Sequence, residues 1–363
     1  MIAYRQLPDD DLYMVSPYAS ANYALATGLP SVHNFELSPD EKSLAFIGQN
    51  PETDLCLYRL DFEPRNVRSV ACGFANAWEP RWSPDGRQLA YYARSAEGDD
   101  LSTWVVSAEG GQPKQIATNL SIAITPSWLN NGTVLLAGRG SGTAWYIFRV
   151  AIDRPDAPDP ITPPFDPSNC EGTFAAYPEL SGNRKLVGFA AARSSGSEKS
   201  STCYASIYTV DPQGASQPAM KGDIASTAET GYGNYGFLRW NPDNQRIGVM
   251  GSGDNEVRRL FVIHAGNGDI NELTGIQGGT FSQWSWSPDG HFMAAGHAPD
   301  GGEWKLYRVN PTKEGSEFSE LSTGLDPAWS SREVDPEVDL VATGLEVTQA
   351  IQRAADKEQV PLA

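Results

Sequence analysis

The stretch Pro80–Tyr91, PRWSPDGRQLAY, decides the fold because it joins the end of one apolar strand to the start of another. Its Pro-Asp-Gly centre tolerates the positive φ angles of a tight hairpin turn. Related segments recur along the chain. The residues aligned with Trp82, spaced 43–60 residues apart, are Leu37, Trp128, Leu180, Trp240, Trp286 and Trp329.

Each repeat continues in the same order after its turn. A β-rich stretch such as QLAYYA leads to a loop, an alternating strand such as STWVVS, and a short fourth segment such as PKQIAT. Four short strands per repeat at this spacing are typical of a propeller blade. The sequence therefore predicts an all-β fold, a β-propeller built from four-stranded blades.

The two ends of the chain complement each other. Ile2–Thr27 supplies the second, third and fourth strands of a blade, and Leu325–Ser330 supplies an isolated first strand. Joining them protects two sheet edges that an open ring would expose. We therefore expect seven blades over residues 1–331, the last closed by both termini. The alternative is six blades, with Pro327–Ser330 belonging to a linker.

The repeat motif P-x-W-S-P-D-G-x-x-L-A-[FY], present here as Pro80–Tyr91, resembles the repeat of TolB-like propellers, relatives of the WD-repeat family. The resemblance extends over about residues 1–331 and implies the propeller fold. The family pattern of six blades with an additional N-terminal domain does not fit this chain.

Residues 332–363 have a different pattern. An acidic, proline-containing linker, REVDPE, precedes the alternating stretch Val338–Gln352. This stretch resembles the opening strands of a β-sandwich module of large bacterial surface proteins, which would make it the start of a truncated second domain. A disordered tail is the alternative, because disorder concentrates at termini.

The charge balance excludes several partner classes. The chain has 27 basic and 45 acidic residues and a formal net charge of −18. Nucleic acids and anionic membranes require a basic surface, and no apolar run reaches the roughly 18 residues of a membrane helix. We expect no nucleic-acid binding and no membrane insertion. We expect instead a protein, peptide or glycan partner, and a monomer or a module of a larger chain.

Catalytic patterns are weak. GYGNYG, residues 231–236, fits the dinucleotide fingerprint, but that motif requires a following helix, which Pro242 and the nearby turn disfavour. His291 and His297 are about 20 Å apart on one predicted strand, too far to share a metal. The sequence thus predicts no catalytic residue, metal or cofactor, and a non-enzymatic role. A propeller enzyme or the regulatory propeller of a hydrolase is the alternative.

The four cysteines fall into two blades. Cys56 and Cys72 flank a predicted hairpin, within reach of a cross-strand disulfide, and Cys170 and Cys203 belong to one later repeat. Two disulfides would indicate an oxidising, exported setting, either extracellular, on the cell surface or periplasmic. Four buried thiols are the alternative. No export signal is recognisable, because Asp9–Asp11 stand where its apolar region would lie.

The predicted innermost strands place polar residues around a central channel. One position before the aligned apolar residues stand Glu36, Arg81, Ser127, Glu179, Arg239, Ser285 and Ala328; three before stand Asn34, Glu79, Thr125, Tyr177, Phe237, Gln283 and Asp326. Alternation puts both sets on one side of each strand. These residues form either a ligand-facing mouth or Arg–Glu pairs between blades.

Aromatic residues in or beside the loops feeding these strands complete a candidate binding funnel, since aromatics and arginine are preferred at interfaces. The candidate binding residues are Trp78, Glu79, Arg81, Tyr177, Tyr232, Tyr235, Arg239, Gln283 and Trp284. The tryptophans aligned with Trp82 are expected to pack between blades instead.

Overall fold

The structure is a computed structural model that describes residues 1–19, 22–26, 32–49, 55–96, 98–165, 175–197, 200–226, 236–252, 257–276, 278–312 and 316–331. Its 28 strands form seven four-stranded antiparallel sheets. The protein is thus an all-β propeller with seven blades, and the six-bladed alternative is wrong. Within the described ranges, no helix is present.

The blades follow one another along the chain, each numbered here from its innermost strand outward. Blade 1 contains β28 (Leu325–Trp329), β1 (Ile2–Gln6), β2 (Asp11–Val15) and β3 (Asn22–Ala26). Blade 2 contains β4 (His33–Leu37), β5 (Ser43–Gln49), β6 (Leu55–Phe62) and β7 (Arg65–Phe74). Blade 3 contains β8 (Asn76–Trp82), β9 (Gln88–Arg94), β10 (Ser102–Ser107) and β11 (Lys114–Ile116).

The remaining blades repeat this order. Blade 4 contains β12 (Ile122–Asn130), β13 (Thr133–Arg139), β14 (Tyr146–Ala151) and β15 (Asp159–Pro160). Blade 5 contains β16 (Ala176–Leu180), β17 (Val187–Ser197), β18 (Ser200–Val210) and β19 (Ala219–Ser226). Blade 6 contains β20 (Gly236–Trp240), β21 (Arg246–Ser252), β22 (Arg258–His264) and β23 (Ile270–Glu272). Blade 7 contains β24 (Thr280–Trp286), β25 (Met293–Ala298), β26 (Lys305–Asn310) and β27 (Glu317–Thr323).

Both ends of the propeller close blade 1, as the sequence predicts. Strand β28 pairs with β1, with Ile2 opposite Trp329, and β28 also contacts the inner strands of blades 2 and 7. The Glu41 carboxylate of blade 2 then accepts hydrogen bonds from the Ser330 hydroxyl at 2.7 Å and the Ser331 amide at 3.0 Å. The ring is therefore continuous from blade 1 to blade 7.

The Ser-Pro-Asp turn fixes the inner hairpin of several blades. In blade 3, the Ser83 hydroxyl donates to Asp85 at 2.7 Å and accepts the Gln88 amide at 2.9 Å. The hydrogen bond from Ser83 lowers the pKa of the Asp85 carboxyl. Gly86 follows with a φ of 69°, a conformation that glycine adopts without steric penalty. The turn explains why the repeat motif contains these residue types.

The core lies between adjacent sheets. One cluster combines Ala45 and Leu57 of blade 2 with Leu89 and Tyr91 of blade 3, all fully buried. The predicted packing of the aligned tryptophans between blades is confirmed for four of them, because each indole N–H donates to a carbonyl of the preceding blade. These bonds run from Trp82 to Glu36 (3.1 Å), Trp128 to Arg81 (2.9 Å), Trp240 to Glu179 (3.0 Å) and Trp286 to Arg239 (3.2 Å).

Every innermost strand contains a one-residue β-bulge, which the sequence did not predict. In blade 3, Trp78 opposes Tyr92 but Arg81 opposes Ala90, so the inner strand has one residue more than its partner. The other six innermost strands show the same shift. Five bulge residues have φ angles of 42–54°, namely Asn34, Glu79, Thr125, Tyr177 and Asp326. Non-glycine residues rarely adopt this conformation.

Blade 2 contains a disulfide between Cys56 of β6 and Cys72 of β7. Cys170 lies outside the described residues, as does the side chain of Cys203, so the second expected pair stays a prediction. Residues 332–363 also lie outside the described part of the chain. The linker with the start of a second module, and the alternative of a disordered tail, therefore both stay predictions.

Candidate functional site in the central channel

The residues one position before the aligned apolar residues form a polar layer around the channel, called here the paired layer because two Arg–Glu pairs in it join neighbouring blades. Its members are Glu36, Arg81, Ser127, Glu179, Arg239 and Ser285. Arg81 of blade 3 contacts Glu36 of blade 2 at 3.2 Å, and Arg239 of blade 6 contacts Glu179 of blade 5 at 3.1 Å. Of the two interpretations left open by the sequence, inter-blade Arg–Glu pairing is therefore present.

The paired layer also reaches across the channel axis. Arg239 Nη2 lies 3.9 Å from Glu36 Oε1, although their blades, 6 and 2, are not neighbours in the ring. Burial raises the pKa of Glu36, and it raises the pKa of Glu179 to about 7, with Arg81 opposing the shift in both. The charged side chains of the paired layer thus approach one another across the channel. Their surroundings are weakly solvated, so an unpaired charge there is costly.

A cavity of about 240 Å³ opens beside the paired layer. Glu36, Arg239 and Glu179 keep 29, 27 and 25% of their side-chain surface exposed. The wall includes the rings of Trp82 and Trp128. The cavity therefore offers charged, polar and aromatic contacts together.

The bulge residues form a second level, the bulge layer (Asn34, Glu79, Thr125, Tyr177, Gln283 and Asp326). Most of its polar contacts link neighbouring blades: the Thr125 hydroxyl accepts the Tyr177 amide at 3.1 Å, and the Asp326 carboxylate accepts the Gln283 amide at 3.3 Å. Asp326 also receives two hydrogen bonds from Arg5, at 2.7 and 3.1 Å. The same Arg5 guanidinium also pairs with Asp10 at 2.7 Å.

Glu79 differs from the rest of the bulge layer. Its side chain is only 5% exposed, and its nearest cation, Arg81 Nη2, is 4.0 Å from Oε2. Within the described residues, that oxygen has no hydrogen-bond partner. Burial raises the pKa of Glu79 to about 7; Arg81 opposes this shift and Glu36 adds to it. Because buried polar groups are nearly always hydrogen-bonded, Glu79 requires an explanation.

Trp78 precedes Glu79 on β8, and the carboxylate of Glu79 acts electrostatically on the Tyr92 and Tyr177 hydroxyls. Trp78 stacks on Tyr92 with ring centroids 5.4 Å apart and planes 19° apart. Burial and the charge of Glu79 both raise the pKa of the Tyr92 and Tyr177 hydroxyls, which places both rings in the field of the same carboxylate. All three rings are half-buried rather than enclosed.

The structure brings Glu79, Arg81 and Tyr177 within electrostatic range of one another, with Trp78 next to Glu79 on β8, and places Arg239 within 3.9 Å of Glu36. Gln283 is half-buried in the bulge layer of blade 7. Tyr232 and Tyr235 lie outside the described residues.

Trp284 does not line the channel, and its inclusion among the candidate binding residues needs correction. It is 4% exposed and packs edge-on against Trp286, with ring centroids 5.8 Å apart. Its ring fills the space beside Gly248 of blade 6, where a Cβ atom would lie 2.2 Å away. Trp284 precedes Trp286 by two residues, so strand alternation places both on the face that packs against the preceding blade.

Two residues of the channel were missed at the sequence level. Arg5 stands on β1 opposite Leu325, and Tyr92 stands on β9 opposite Trp78. Both are on the second strand of a blade, whereas the sequence analysis considered only innermost strands. Tyr92 could have been identified by pairing the two strands that flank the Pro-Asp-Gly turn, because this pairing aligns QLAYYAR with the strand that contains Trp78.

Two further observations concern ligand and membrane chemistry. Among the described residues, no group of three or more His, Cys, Asp or Glu side chains is arranged to hold a metal ion. His297 instead forms a hydrogen bond with the Gly278 carbonyl at 2.8 Å. Also for the described part of the chain, no helix has the length and apolar character needed to span a membrane.

No family model matches the chain. Over 116 residues it is 28% identical to the uncharacterized peptidase YuxL of Bacillus subtilis, a match that covers 30% of this chain and 17% of the peptidase. The chain therefore spans less than a fifth of that curated relative.

Solved structures show the same fold. The periplasmic gluconolactonase PpgL of Pseudomonas aeruginosa has a TM-score of 0.58 at 14% identity, covering 89% of this chain and 95% of that one. TolB from Acinetobacter baumannii has a TM-score of 0.54 at 16% identity, with 90 and 66% covered. The propeller domain of the Trilobed protease from Pyrococcus furiosus has a TM-score of 0.54 at 14% identity, with 82 and 86% covered. These likenesses are to β-propellers, including TolB-like ones.

Proposed function

We propose that the chain is a non-enzymatic binding or scaffolding propeller of a bacterial exported or cell-surface protein, which recognises a protein, peptide or glycan through its central channel. The observation that carries this proposal is the channel itself. It combines a cavity of about 240 Å³ with charged side chains that remain a quarter exposed and with half-buried aromatic rings. Binding sites are typically concave, with a few convergent polar groups.

The exported location draws on two observations. The Cys56–Cys72 disulfide is of a kind that persists in oxidising compartments, and one structural neighbour is named as a periplasmic protein. The net charge of −18 keeps such a ring soluble and directs it away from nucleic acid.

The experiment is a glycan and peptide array probed with the intact ring, compared with the double variant Trp78→Ala and Arg239→Ala. We expect the double variant to lose at least tenfold of the affinity for each array hit, because both residues lie in the channel. Unchanged affinities for all hits would refute binding through the channel. Reproducible turnover of any array compound would refute the non-enzymatic role.

A regulatory propeller of a hydrolase is the second candidate, favoured by the match to a peptidase and by the protease-associated propeller among the structural neighbours. Here the channel would control access to a hydrolase domain. Activity that requires a neighbouring domain, and that changes when the ring is removed, would favour this candidate.

A further inference from the structure

Charges in the channel do not balance around Glu79. The charges of Glu36, Glu179 and Glu79 each raise the pKa of Arg81, against the effect of burial, so three carboxylates surround this guanidinium. Arg81 and Arg239 already pair with Glu36 and Glu179. Arg184 also reaches the cavity, but it donates to the Leu129 carbonyl. Glu79 therefore has the longest of these ion-pair distances, 4.0 Å to an Arg81 guanidinium that already pairs with Glu36.

The closing blade shows how this fold compensates an acid at the same position. Asp326 is the bulge residue of blade 1, as Glu79 is that of blade 3, with φ angles of 54° and 51°. In blade 1, the second-strand residue opposite the start of the bulge is Arg5, which donates twice to Asp326.

In blade 3, the equivalent second-strand position is occupied by Tyr92. A tyrosine cannot supply the positive charge that Arg5 supplies in blade 1. Tyr92 instead stacks on Trp78, the residue that precedes Glu79, and its hydroxyl is under the electrostatic influence of the Glu79 carboxylate. Guanidinium groups stack on aromatic faces and bind carboxylates through two parallel hydrogen bonds. The site offers a carboxylate and aromatic rings, and the Arg81 guanidinium, 4.0 Å from that carboxylate, is shared with Glu36.

We propose that Glu79, with Trp78, Tyr92 and Tyr177, forms a pocket for the guanidinium group of an arginine side chain of a peptide or protein partner. This inference rests on the proposed channel-binding function and names its ligand class. The arginine takes the place that Arg5 has in blade 1: it pairs with the Glu79 carboxylate and lies against the stacked rings. The chain's net charge of −18 attracts such a basic partner at long range.

The test uses the full chain and two fluorescein-labelled pentapeptides, Gly-Gly-Arg-Gly-Gly and its citrulline counterpart, which has the same shape without the charge. Fluorescence anisotropy at pH 8 measures both affinities. We expect at least tenfold tighter binding of the arginine peptide. Equal affinities, or no detectable binding of the arginine peptide at millimolar concentration, would overturn the proposal.

Three variants locate the effect. Glu79→Gln is expected to reduce arginine-peptide affinity at least tenfold, and Tyr92→Arg to reduce it similarly, because the new side chain copies Arg5 and occupies the site. Glu303→Gln, which removes an exposed acid, is the matched charge control and should change affinity less than twofold. Thermal unfolding of each variant verifies that it is folded. Wild-type affinity in folded Glu79→Gln would contradict the assignment.

Two further outcomes separate this inference from its alternatives. Titration with calcium chloride alone tests for an inorganic cation; binding of calcium that Glu79→Gln abolishes, without arginine discrimination, would overturn the proposal. Array hits that depend on Trp78 and Arg239 but not on arginine would leave the channel-binding function intact and refute only the arginine pocket. If the hits do depend on arginine and on Glu79, both are supported.

Discussion

Blades 1 and 3 differ in how closely an arginine pairs with the acidic residue of the β-bulge. Each has an acidic bulge residue in left-handed conformation, Asp326 and Glu79, on an innermost strand with the same register. Asp326 receives Arg5 at 2.7 Å, whereas Glu79 has only Arg81 at 4.0 Å. The two blades differ at the equivalent position of the second strand, which is Arg5 in blade 1 and Tyr92 in blade 3.

The largest loss of unfolding free energy is expected when the acidic bulge residue of blade 1 loses its close arginine partner, as Glu79 of blade 3, in the part of the chain that the structure describes, has none at hydrogen-bond distance. Arg5→Met removes the partner of Asp326 and of Asp10, which lies 2.7 Å from the guanidinium. All three side chains are at most 15% exposed, and breaking a buried pair costs about 3–5 kcal/mol. Guanidinium chloride unfolding at pH 7.5 measures the loss.

Arg5→Lys is the control for this prediction. It keeps a positive charge but lacks the planar fork of arginine, so its loss of unfolding free energy should be smaller. A loss below about 1 kcal/mol for Arg5→Met would mean that Asp326 does not depend on its pair.

Glu79→Gln should act in the opposite direction. The folded-state pKa of about 7 lies above the ordinary value of 4.5, so the native state retains a proton that the unfolded state releases between these pH values. This group therefore lowers stability as pH rises from 4.5 to 7, by up to about 3 kcal/mol. The variant should be more stable than wild type at pH 8 and similar at pH 5.

Denaturant unfolding at pH 5 and pH 8 checks this sign. A reduced slope with pH is expected in the variant, although not a flat one, because burial raises the pKa of Glu179 in the same direction. A variant that is less stable than wild type at pH 8 would show that the ionised Glu79 is compensated in the folded protein.

A smaller loss of stability tests the hydrogen bonds by which the aligned tryptophans join neighbouring blades. Trp128→Phe removes the indole N–H that donates to the Arg81 carbonyl at 2.9 Å, which should lower the unfolding free energy by about 1–2 kcal/mol. The matched control is Trp104→Phe, whose indole nitrogen has no hydrogen-bond partner among the described residues. Equal losses in both variants would mean that ring volume, rather than the inter-blade bond, is what matters.

The sequence predicted the architecture because the architecture is repetitive. The Ser-Pro-Asp turns and aligned tryptophans mark each inner hairpin, and Leu325–Ser330 visibly supplies the strand that Ile2–Thr27 lacks. Arg81 and Glu36 could be identified as channel residues from strand alternation, and their pairing was one of two interpretations that the sequence left open.

The bulges and their consequences could not be predicted from the sequence. A left-handed bulge is usually signalled by glycine, but these positions carry residues such as Asn34, Thr125 and Tyr177. The contrast between Glu79 and Asp326 depends on register across strands, which places Tyr92 and Arg5 in equivalent positions.

The most direct test of this account is the ionisation of Glu79, followed by NMR of protein with 13C-labelled glutamate carboxyl groups and assigned by comparison with Glu79→Gln. We expect a carboxyl signal that titrates near pH 7, is absent from the variant, and titrates at lower pH when N-acetyl-arginine amide is added in excess. A Glu79 carboxyl that titrates near its ordinary value of 4.5 and does not respond to the arginine probe would contradict it.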